Sequence, residues 1–350
     1  MKTYFLQVKE VIRETADSVT IEFWHPLSEQ IKYKAGQFVT VIVPHEGKKI
    51  RRSYSMSTSP QADTSLGITI KRVKDGIVSN YLNDNVKKGD FLEIIEPMGN
   101  FYITPDAANQ RHIVLFAAGS GVTPIMSMAK SILKIEPNSR VSLFYGNRNE
   151  ESIIFKAEIE ALEEKYQNRF RCTHILSRAS DTWVGDKGHI NEGNSLRWMK
   201  HVDTNFAKDE FYMCGPIGMM DSVIKSIAIF DVDKARVHKE NFHSATDEDT
   251  SDEKAGEILQ NQIVKVKYDG EVHEFEVKPH QTILEAALDL DIDLPYSCQA
   301  GMCTACMGKC KEGKVAMDEE DGLTEKEVAQ GFVLTCVAHP MSAGVVIEID

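Results

Sequence analysis

The sequence predicts a multidomain protein in which an antiparallel β-barrel is followed by a doubly wound α/β domain and a small α+β domain. Three observations lead to this fold class. Short runs that alternate apolar and polar residues fill the first hundred positions. From Arg111 onward, continuous apolar runs alternate with helical patterns. The last ninety residues again open on alternating runs, and 350 residues are enough for two or three domains.

The barrel is predicted over residues 1–105. Val19–Trp24 and Gly67–Val73 alternate apolar and polar side chains, and Phe38–Val43 is a denser apolar run. Turn residues such as Gly36 and Pro44 separate these runs. Several short strands at this spacing are typical of a small antiparallel barrel.

The α/β domain is predicted over residues 106–242. His112–Ala118 is a continuous apolar run of the kind that is buried in parallel sheets. An amphipathic stretch follows it through Ile132, and a second helix is expected from about Glu150 to Gln167. Strands alternating with helices predict a doubly wound sheet. The further strands are Val141–Gly146, Cys172–Ser177 and Glu210–Gly215.

Residues 243–260 are polar and acidic, and we interpret them as a flexible linker. Residues 261–350 then form the third domain. It opens on the alternating strands Ile263–Tyr268 and Val272–Val277, and a helix is expected over Thr282–Leu290.

The formal net charge of −13 is unevenly distributed. Residues 261–350 contain 17 acidic and 7 basic residues, and residues 243–260 contain 6 acidic and 1 basic. This balance argues against a nucleic-acid partner. It suits docking of the last domain on a basic face of a redox partner, although a merely solvated acidic surface is the alternative.

No membrane association is expected, because glycines and Pro124 interrupt the uncharged run at 112–129. The N-terminus has no basic and apolar leader, and seven cysteines is an odd number for a disulfide framework. We therefore expect a cytoplasmic protein with free thiols.

Four cysteines have the spacing C-x4-C-x2-C with a distant fourth member: Cys298, Cys303, Cys306 and Cys336. This is the plant-type arrangement of a [2Fe-2S] cluster. Structural zinc usually uses two separate two-cysteine knuckles, and ordinary buried thiols are the other alternative. Cys310 imitates a bacterial ferredoxin run, but Lys311 stands where that run has proline, so Cys336 is the better fourth ligand.

Two segments of the barrel have the chemistry to hold a flavin. One contains Arg52, Ser53, Tyr54 and Ser55. Arg can bind a pyrophosphate, Tyr offers a flat face, and Ser can bond a ring edge. The other contains Gly76, Ile77, Val78 and Ser79, a helix start whose amides can receive phosphate. A surface turn and a plain N-cap are the alternatives, and Lys71 either reaches the flavin or lies on the barrel exterior.

The α/β domain has a glycine-rich turn that could bind a nicotinamide dinucleotide. Its residues are Gly119, Ser120, Gly121, Thr123 and Pro124. Because proline replaces the third glycine, the dinucleotide signal is incomplete. Ser177 and Arg178 end the third strand, where they could bind a 2′-phosphate, which favours NADPH over NADH; an ordinary exposed arginine is the alternative. Cys214, Gly215 and Pro216 end the fourth strand, where a small thiol could face the nicotinamide or simply belong to the core.

The motifs RxYS, GxxS, GSGVTP, YGNR and CGP, in this order, resemble the ferredoxin-NADP reductase superfamily over residues 1 to about 242. With a plant-type ferredoxin at the C-terminus, the chain is similar to the reductase components of bacterial oxygenases, most of all those of phenylacetyl-CoA epoxidase systems. Segments 313–317 and 333–336 carry that likeness. Phthalate dioxygenase reductases share the domain order but use FMN, whereas GxxS after RxYS is typical of FAD-binding relatives.

The resemblance implies a six-stranded barrel, a β-grasp ferredoxin domain and a set of residue roles. Arg52, Tyr54 and Ser55 would hold FAD, with Ser79 and its neighbouring amides on the pyrophosphate. Thr123 and Cys214 would flank the nicotinamide. Phe242 would cover the other face of the flavin, so that Ser55, Cys214 and Phe242 surround the reacting atoms.

The function expected from this resemblance is an electron relay from NAD(P)H through FAD and the cluster to an oxygenase partner that docks at the acidic ferredoxin domain. The reductase of a Rieske oxygenase or of a steroid or aromatic-ring hydroxylase is a neighbouring alternative. A redox-sensing electron-transfer subunit is an alternative of a different class.

Overall fold

The computed structural model describes residues 1–26, 30–242, 260–320 and 322–349. The chain divides into two compact units, Lys2–Phe242 and the part from His243 onward, and each is described by itself. Residues 243–259 of the expected linker lie outside the described residues. Among the described residues, no helix is long and apolar enough to cross a bilayer.

The first unit begins with a six-stranded antiparallel barrel in the strand order β4-β3-β6-β1-β2-β5. Its strands enclose a core of aliphatic side chains such as Val19, Ile21 and Ile68. A bridge between Met56 and Ile68 joins the two outer strands, β4 and β5. The elements are β1 (Thr3–Thr15), β2 (Ser18–Phe23), β3 (Phe38–His45), β4 (Lys48–Ser55), β5 (Leu66–Lys71), α1 (Ile77–Asp84) and β6 (Phe91–Met98).

A six-stranded parallel sheet follows within the same unit, in the order β10-β9-β8-β7-β11-β12. The order reverses between β7 and β11, and the carboxyl ends at such a switch point form a crevice where ligands bind. The elements are β7 (His112–Ala118), α2 (Val122–Ile135), β8 (Arg140–Asn147), α3 (Lys156–Tyr166), β9 (Phe170–Leu176), β10 (Asp186–Lys187), α4 (Glu192–His201), β11 (Glu210–Cys214), α5 (Ile217–Ala228) and β12 (Val237–Glu240).

Helix α3 begins six residues later than expected. Asn149 accepts a hydrogen bond from the Ser152 amide and caps a single 3-10 turn, Glu150–Ser152. Phe155 then takes a left-handed conformation with φ 61°, so the chain cannot run helically from Glu150 into α3.

The C-terminal unit has a five-stranded sheet in the order β14-β13-β19-β15-β17 and a small β16-β18 pair. Thr282 caps α6 through a reciprocal capping box with Glu285, which starts that helix as the sequence predicts. The elements are β13 (Gln262–Tyr268), β14 (Glu271–Val277), α6 (Ile283–Asp289), β15 (Met307–Glu312), β16 (Val315–Met317), α7 (Glu325–Ala329), β17 (Phe332–Leu334), β18 (Ala338–Pro340) and β19 (Val345–Glu348). The predicted fold class, barrel plus parallel sheet plus C-terminal α+β domain, is confirmed.

Candidate functional site

The four cysteines of the predicted cluster meet in the C-terminal unit. The sulfur atoms of Cys298 and Cys303 are 3.2 Å apart. Cys306 and Cys336 are in hydrogen-bonding contact with each other, and Cys336 also contacts Cys298. The loop between the first two cysteines bends through two left-handed residues, Gln299 with φ 54° and Gly301 with φ 68°.

Hydrogen-bond donors around the loop favour a thiolate at Cys298. The thiols of Cys303 and Cys336 and the amides of Ala300 and Met302 lower the pKa of Cys298, against the opposing effect of burial. The Ala300 amide nitrogen lies 3.4 Å from the Cys298 sulfur. Because iron is bound by thiolates rather than thiols, this environment fits the predicted cluster.

The four cysteines form the donor set of a [2Fe-2S] cluster. Among the described residues, no three Cys, His, Asp or Glu side chains are arranged as the ligands of one metal ion. A [2Fe-2S] cluster instead takes two ligands on each iron. The contacts from Cys303 to Cys298, from Cys298 to Cys336 and from Cys336 to Cys306 bring together the four thiolates that such a cluster needs.

The distant cysteine is held to the loop by its neighbour. The amide and the hydroxyl of Thr335 both donate to the carbonyl oxygen of Cys306, each at 3.2 Å. The carbonyl oxygen of Thr335 also accepts a hydrogen bond from the Leu284 amide of α6 at 3.0 Å. Cys310, in contrast, lies on β15 with its sulfur 3.4 Å from the carbonyl oxygen of Glu312.

In the first unit, the predicted flavin residues 52–55 are consecutive at the end of β4, which pairs with β3. Arg52 is exposed, with Nη1 donating to the Arg51 carbonyl oxygen at 2.8 Å. Ser53 shares a hydrogen bond of 2.8 Å with Thr40. Burial raises the pKa of the Tyr54 phenol, which keeps that side chain neutral.

Ser55, at the end of β4, is buried and meets the α/β domain. Its hydroxyl donates to Glu240 Oε2 at 3.2 Å, and Glu240 is also buried at the end of β12. Burial, and then the nearby Glu240 carboxylate, raise the pKa of the fully buried Cys214 thiol. The structure therefore brings two predicted residues, Ser55 and Cys214, to the Glu240 carboxylate, which lies two positions before the predicted Phe242.

The glycine-rich turn packs directly on the end of β11. A Cβ atom on Gly121 would lie 2.1 Å from the Cys214 carbonyl oxygen, so only glycine allows this approach. Gly119 is left-handed with φ 54°, and its carbonyl oxygen accepts a hydrogen bond from the Tyr145 hydroxyl at 3.1 Å. Thr123 donates to the Ser120 carbonyl oxygen at 3.0 Å.

Other predicted residues flank this turn. Pro124 is buried in α2, Gly215 packs against Ala118, and Pro216 immediately precedes α5. Phe242 is 37% exposed, two positions beyond Glu240.

Lys71 reaches from the barrel to the glycine-rich turn. Its Nζ lies 3.4 Å from where a Gly119 Cβ would stand. Burial, and then the positive charge of Arg148, lower the pKa of Lys71. Arg148 belongs to the YGNR motif, from which no role for this side chain was predicted. Ser177 and Arg178 lie beside that segment, since the Arg178 amide donates to the Arg148 carbonyl oxygen at 2.7 Å.

At the start of α1, the Ser79 side chain forms hydrogen bonds within its own segment. Ser79 accepts a hydrogen bond from the Val73 amide at 3.1 Å and donates to the Gly76 carbonyl oxygen at 3.4 Å. Among the residues that the structure describes, no side chain caps this helix, so the amides of Ile77, Val78 and Ser79 are the groups that a phosphate would meet. The phosphate role of the Ser79 hydroxyl stays a prediction.

Three family models match successive parts of the chain. They are an oxidoreductase FAD-binding domain at residues 5–103, an oxidoreductase NAD-binding domain at 115–225 and a 2Fe-2S iron-sulfur cluster binding domain at 266–341. All three expected cofactor classes are therefore represented, in the expected order.

Relatives match over nearly the whole chain. The ferredoxin reductase component of 3-ketosteroid-9-alpha-monooxygenase from Rhodococcus rhodochrous is 35% identical, over 99% of this chain and 97% of its own. One subunit of the 1,2-phenylacetyl-CoA epoxidase of Escherichia coli is 33% identical with the same coverage. The glycine betaine monooxygenase reductase subunit of Pseudomonas aeruginosa is 31% identical, over 96% of this chain and 93% of its own.

A solved structure has the same architecture throughout. Phthalate dioxygenase reductase matches with a TM-score of 0.65 and 23% identity over 99% of this chain and 98% of its own, a likeness of fold. Together, these matches confirm the expected resemblance. The chain belongs to the ferredoxin-NADP reductase superfamily, as an electron-transfer reductase of oxygenase systems with FAD-binding, NAD-binding and C-terminal [2Fe-2S]-binding domains.

Proposed function

We propose that this chain is the NADPH-dependent reductase of an aromatic acyl-CoA epoxidase of the phenylacetyl-CoA type. The observation that supports the electron relay is the convergence of Cys298, Cys303, Cys306 and Cys336 in a chain that also has FAD-binding and NAD-binding domains. The 33% identity to the Escherichia coli epoxidase component over 99% of the chain supports the choice of partner.

The groups of the first unit would bind and orient the two nucleotides. Arg52 and the amides at the start of α1 would hold the FAD pyrophosphate, while Tyr54 and Ser55 would border the flavin ring. FAD, when bound, supplies the conversion between a two-electron hydride donor and a one-electron acceptor. Phe242 would cover the ring and exclude water.

The turn around Gly121 and the end of β11 would place the nicotinamide. The close approach of Gly121 to the Cys214 carbonyl holds the turn that carries Thr123 against the end of β11, so a ring held there would have one defined distance from the flavin. The buried Glu240 carboxylate accepts the hydrogen bond of Ser55 and so holds that hydroxyl in one orientation. We assign Glu240 a positioning role in hydride transfer.

The preference for NADPH would come from positive charge at the ends of β8 and β9. Arg178 is exposed and its backbone is bonded to that of Arg148, whose own charge acts on Lys71. A guanidinium beside Ser177 suits the dianionic 2′-phosphate, which NADH lacks.

The oxygenase component would dock at the C-terminal domain, where residues 261–350 have 17 acidic and 7 basic residues. A second candidate partner is a steroid monooxygenase, because a ketosteroid monooxygenase reductase is 35% identical to the chain.

Reconstitution separates the two partners. Holoprotein would be mixed with NADPH and either the Escherichia coli epoxidase without its own homologous component or the Rhodococcus ketosteroid monooxygenase without its reductase. Coupled epoxidation of phenylacetyl-CoA, with steroid turnover at least tenfold slower, supports the first partner. The reverse ratio assigns the second, and NADPH oxidation without either product contradicts both.

A further inference from the structure

His339 on β18 lies between two hydrogen-bond acceptors in the C-terminal unit. Its Nδ1 is 3.1 Å from the carbonyl oxygen of Gln281, and its Nε2 is 2.8 Å from Asp318 Oδ2. The residue is 9% exposed. The ring therefore spans the distance between the segment before α6 and Asp318, with one ring nitrogen facing each.

Asp318 starts the segment Asp318–Glu320, which lies against the cysteine loop. The Asp318 amide donates to the Val337 carbonyl oxygen at 3.0 Å, next to Cys336 in the chain. The following residue, Glu319, packs on Gly301 so closely that a Cβ there would be 3.0 Å from both Cβ and the carbonyl oxygen of Glu319.

Gly301 is the left-handed bend between Cys298 and Cys303, with φ 68°. Its carbonyl oxygen also accepts a hydrogen bond from the Gly322 amide at 2.8 Å. The position of segment Asp318–Glu320 therefore limits where Gly301 can lie, and Gly301 sets the spacing of the first two sulfurs. His339 is therefore linked to this bend through its contact with Asp318 and through the packing of Glu319 on Gly301.

We propose that His339 is a positioning residue for the iron-binding loop: by holding Asp318 it keeps Glu319 packed on Gly301 and thereby keeps Cys298 and Cys303 at ligand spacing. The inference rests on the proposed cluster role of the four cysteines. Loss of the pair would let the loop open and expose the cluster to solvent and chelators.

The test measures iron release from the purified holoprotein into excess EDTA, followed by loss of visible absorbance. We expect His339→Ala to release iron about tenfold faster than wild type, as does Asp318→Ala, and the double variant to be no faster than either. His339→Gln keeps one donor and should fall between His339→Ala and wild type. NADPH-to-ferricyanide activity, which needs only the flavin, should be unchanged.

His273→Ala is the matched control, because His273 lies on β14, outside the cysteine loop, and its Nε2 is 3.7 Å from the exposed Glu271 carboxylate. Release within twofold of wild type in His339→Ala and Asp318→Ala overturns the proposal, as does equal acceleration in His273→Ala. If His339→Ala fails to fold, the Asp318→Ala rate decides alone. A wild-type protein that binds no iron would instead contradict the proposed function, which separates the two failures.

Discussion

The Ser55 hydroxyl donates a 3.2 Å hydrogen bond to Oε2 of Glu240 and so joins the last residue of a barrel strand to the last residue of the parallel sheet. Both side chains are buried, and the Cys214 thiol lies within the electrostatic reach of the same carboxylate. The two modules of the first unit therefore meet through a polar contact at the predicted hydride-transfer site.

Removing this contact should slow flavin reduction. We expect Ser55→Ala to lower the rate of flavin reduction by NADPH at least tenfold, because the ring edge and the nicotinamide lose a fixed partner. Anaerobic stopped-flow absorbance measures this rate. Ser65→Ala, a buried barrel serine bonded to Glu22 and Lys9, is the control. Equal rates in Ser55→Ala and wild type would remove Ser55 from the site.

The close approach at Gly121 gives a stability prediction. We expect Gly121→Ala to cost about 2 kcal/mol of unfolding free energy, because the new Cβ would meet the Cys214 backbone and force α2 to move. KM for NADPH should also rise. Gly218→Ala is the control, since a Cβ at Gly218 meets nothing within 4 Å. Urea denaturation measures the stability of both variants, and similar midpoints would contradict the packing argument.

Nucleotide choice should depend on Arg178. We expect Arg178→Ala to raise KM for NADPH about tenfold to a hundredfold and to change KM for NADH little, because only NADPH has a 2′-phosphate for the guanidinium to bind. Arg171→Ala, an exposed arginine nearer the start of β9, serves as the control. Parallel steady-state titrations with both nucleotides measure the effect. An equal rise in KM for NADPH and NADH would mean that Arg178 does not discriminate between the two nucleotides.

The buried Glu136 carboxylate should make the unfolding free energy depend on pH. Burial acts to raise the pKa of Glu136, but hydrogen bonds from Arg111, Ser139 and Asn109 outweigh it and lower the pKa below its usual value of 4.5. A carboxylate with a lowered folded-state pKa stabilises the protein fully above its unfolded pKa. That stabilisation is lost as the pH falls through the folded value.

We therefore expect Glu136→Gln to destabilise the protein by about 3 kcal/mol at pH 7 and by progressively less below pH 4.5. Denaturant unfolding at a series of pH values checks the slope. Glu164→Gln, on the exposed face of α3, is the control for the loss of a carboxylate. A Glu136→Gln difference that is constant with pH would contradict the assignment.

Much of the architecture could be predicted from local sequence patterns. The strand alternations around Val19 and Ile68 and the cysteine spacing from Cys298 to Cys306 are short-range signals, because each follows from one element's own geometry. The predicted start of α3 was wrong by six residues, since the polar stretch after Asn149 suits both a helix and a capped turn. The left-handed Phe155, which decides between them, has no signal in its residue type.

The contacts that complete the candidate site join distant segments. Glu240 is 185 positions from Ser55, and no periodicity relates a barrel strand to the last strand of the sheet. Arg148 was visible in YGNR, but its proximity to Lys71 appears only when β5 and β8 are brought together by the fold. The Ser79 hydroxyl was predicted to bind phosphate. In the structure it forms hydrogen bonds with the Val73 amide and the Gly76 carbonyl, an arrangement that the GxxS pattern also permits.

Ligation of iron by Cys336 tests the central claim most directly. The absorbance spectrum and the iron and sulfide content of Cys336→Ser would be compared with those of Cys310→Ser, whose thiol faces the Glu312 carbonyl oxygen on β15. If Cys336 is one of four cysteine ligands of the cluster, Cys336→Ser should lose or alter the cluster, while Cys310→Ser should keep two irons and two sulfides per chain. An intact spectrum and iron content in Cys336→Ser would contradict it.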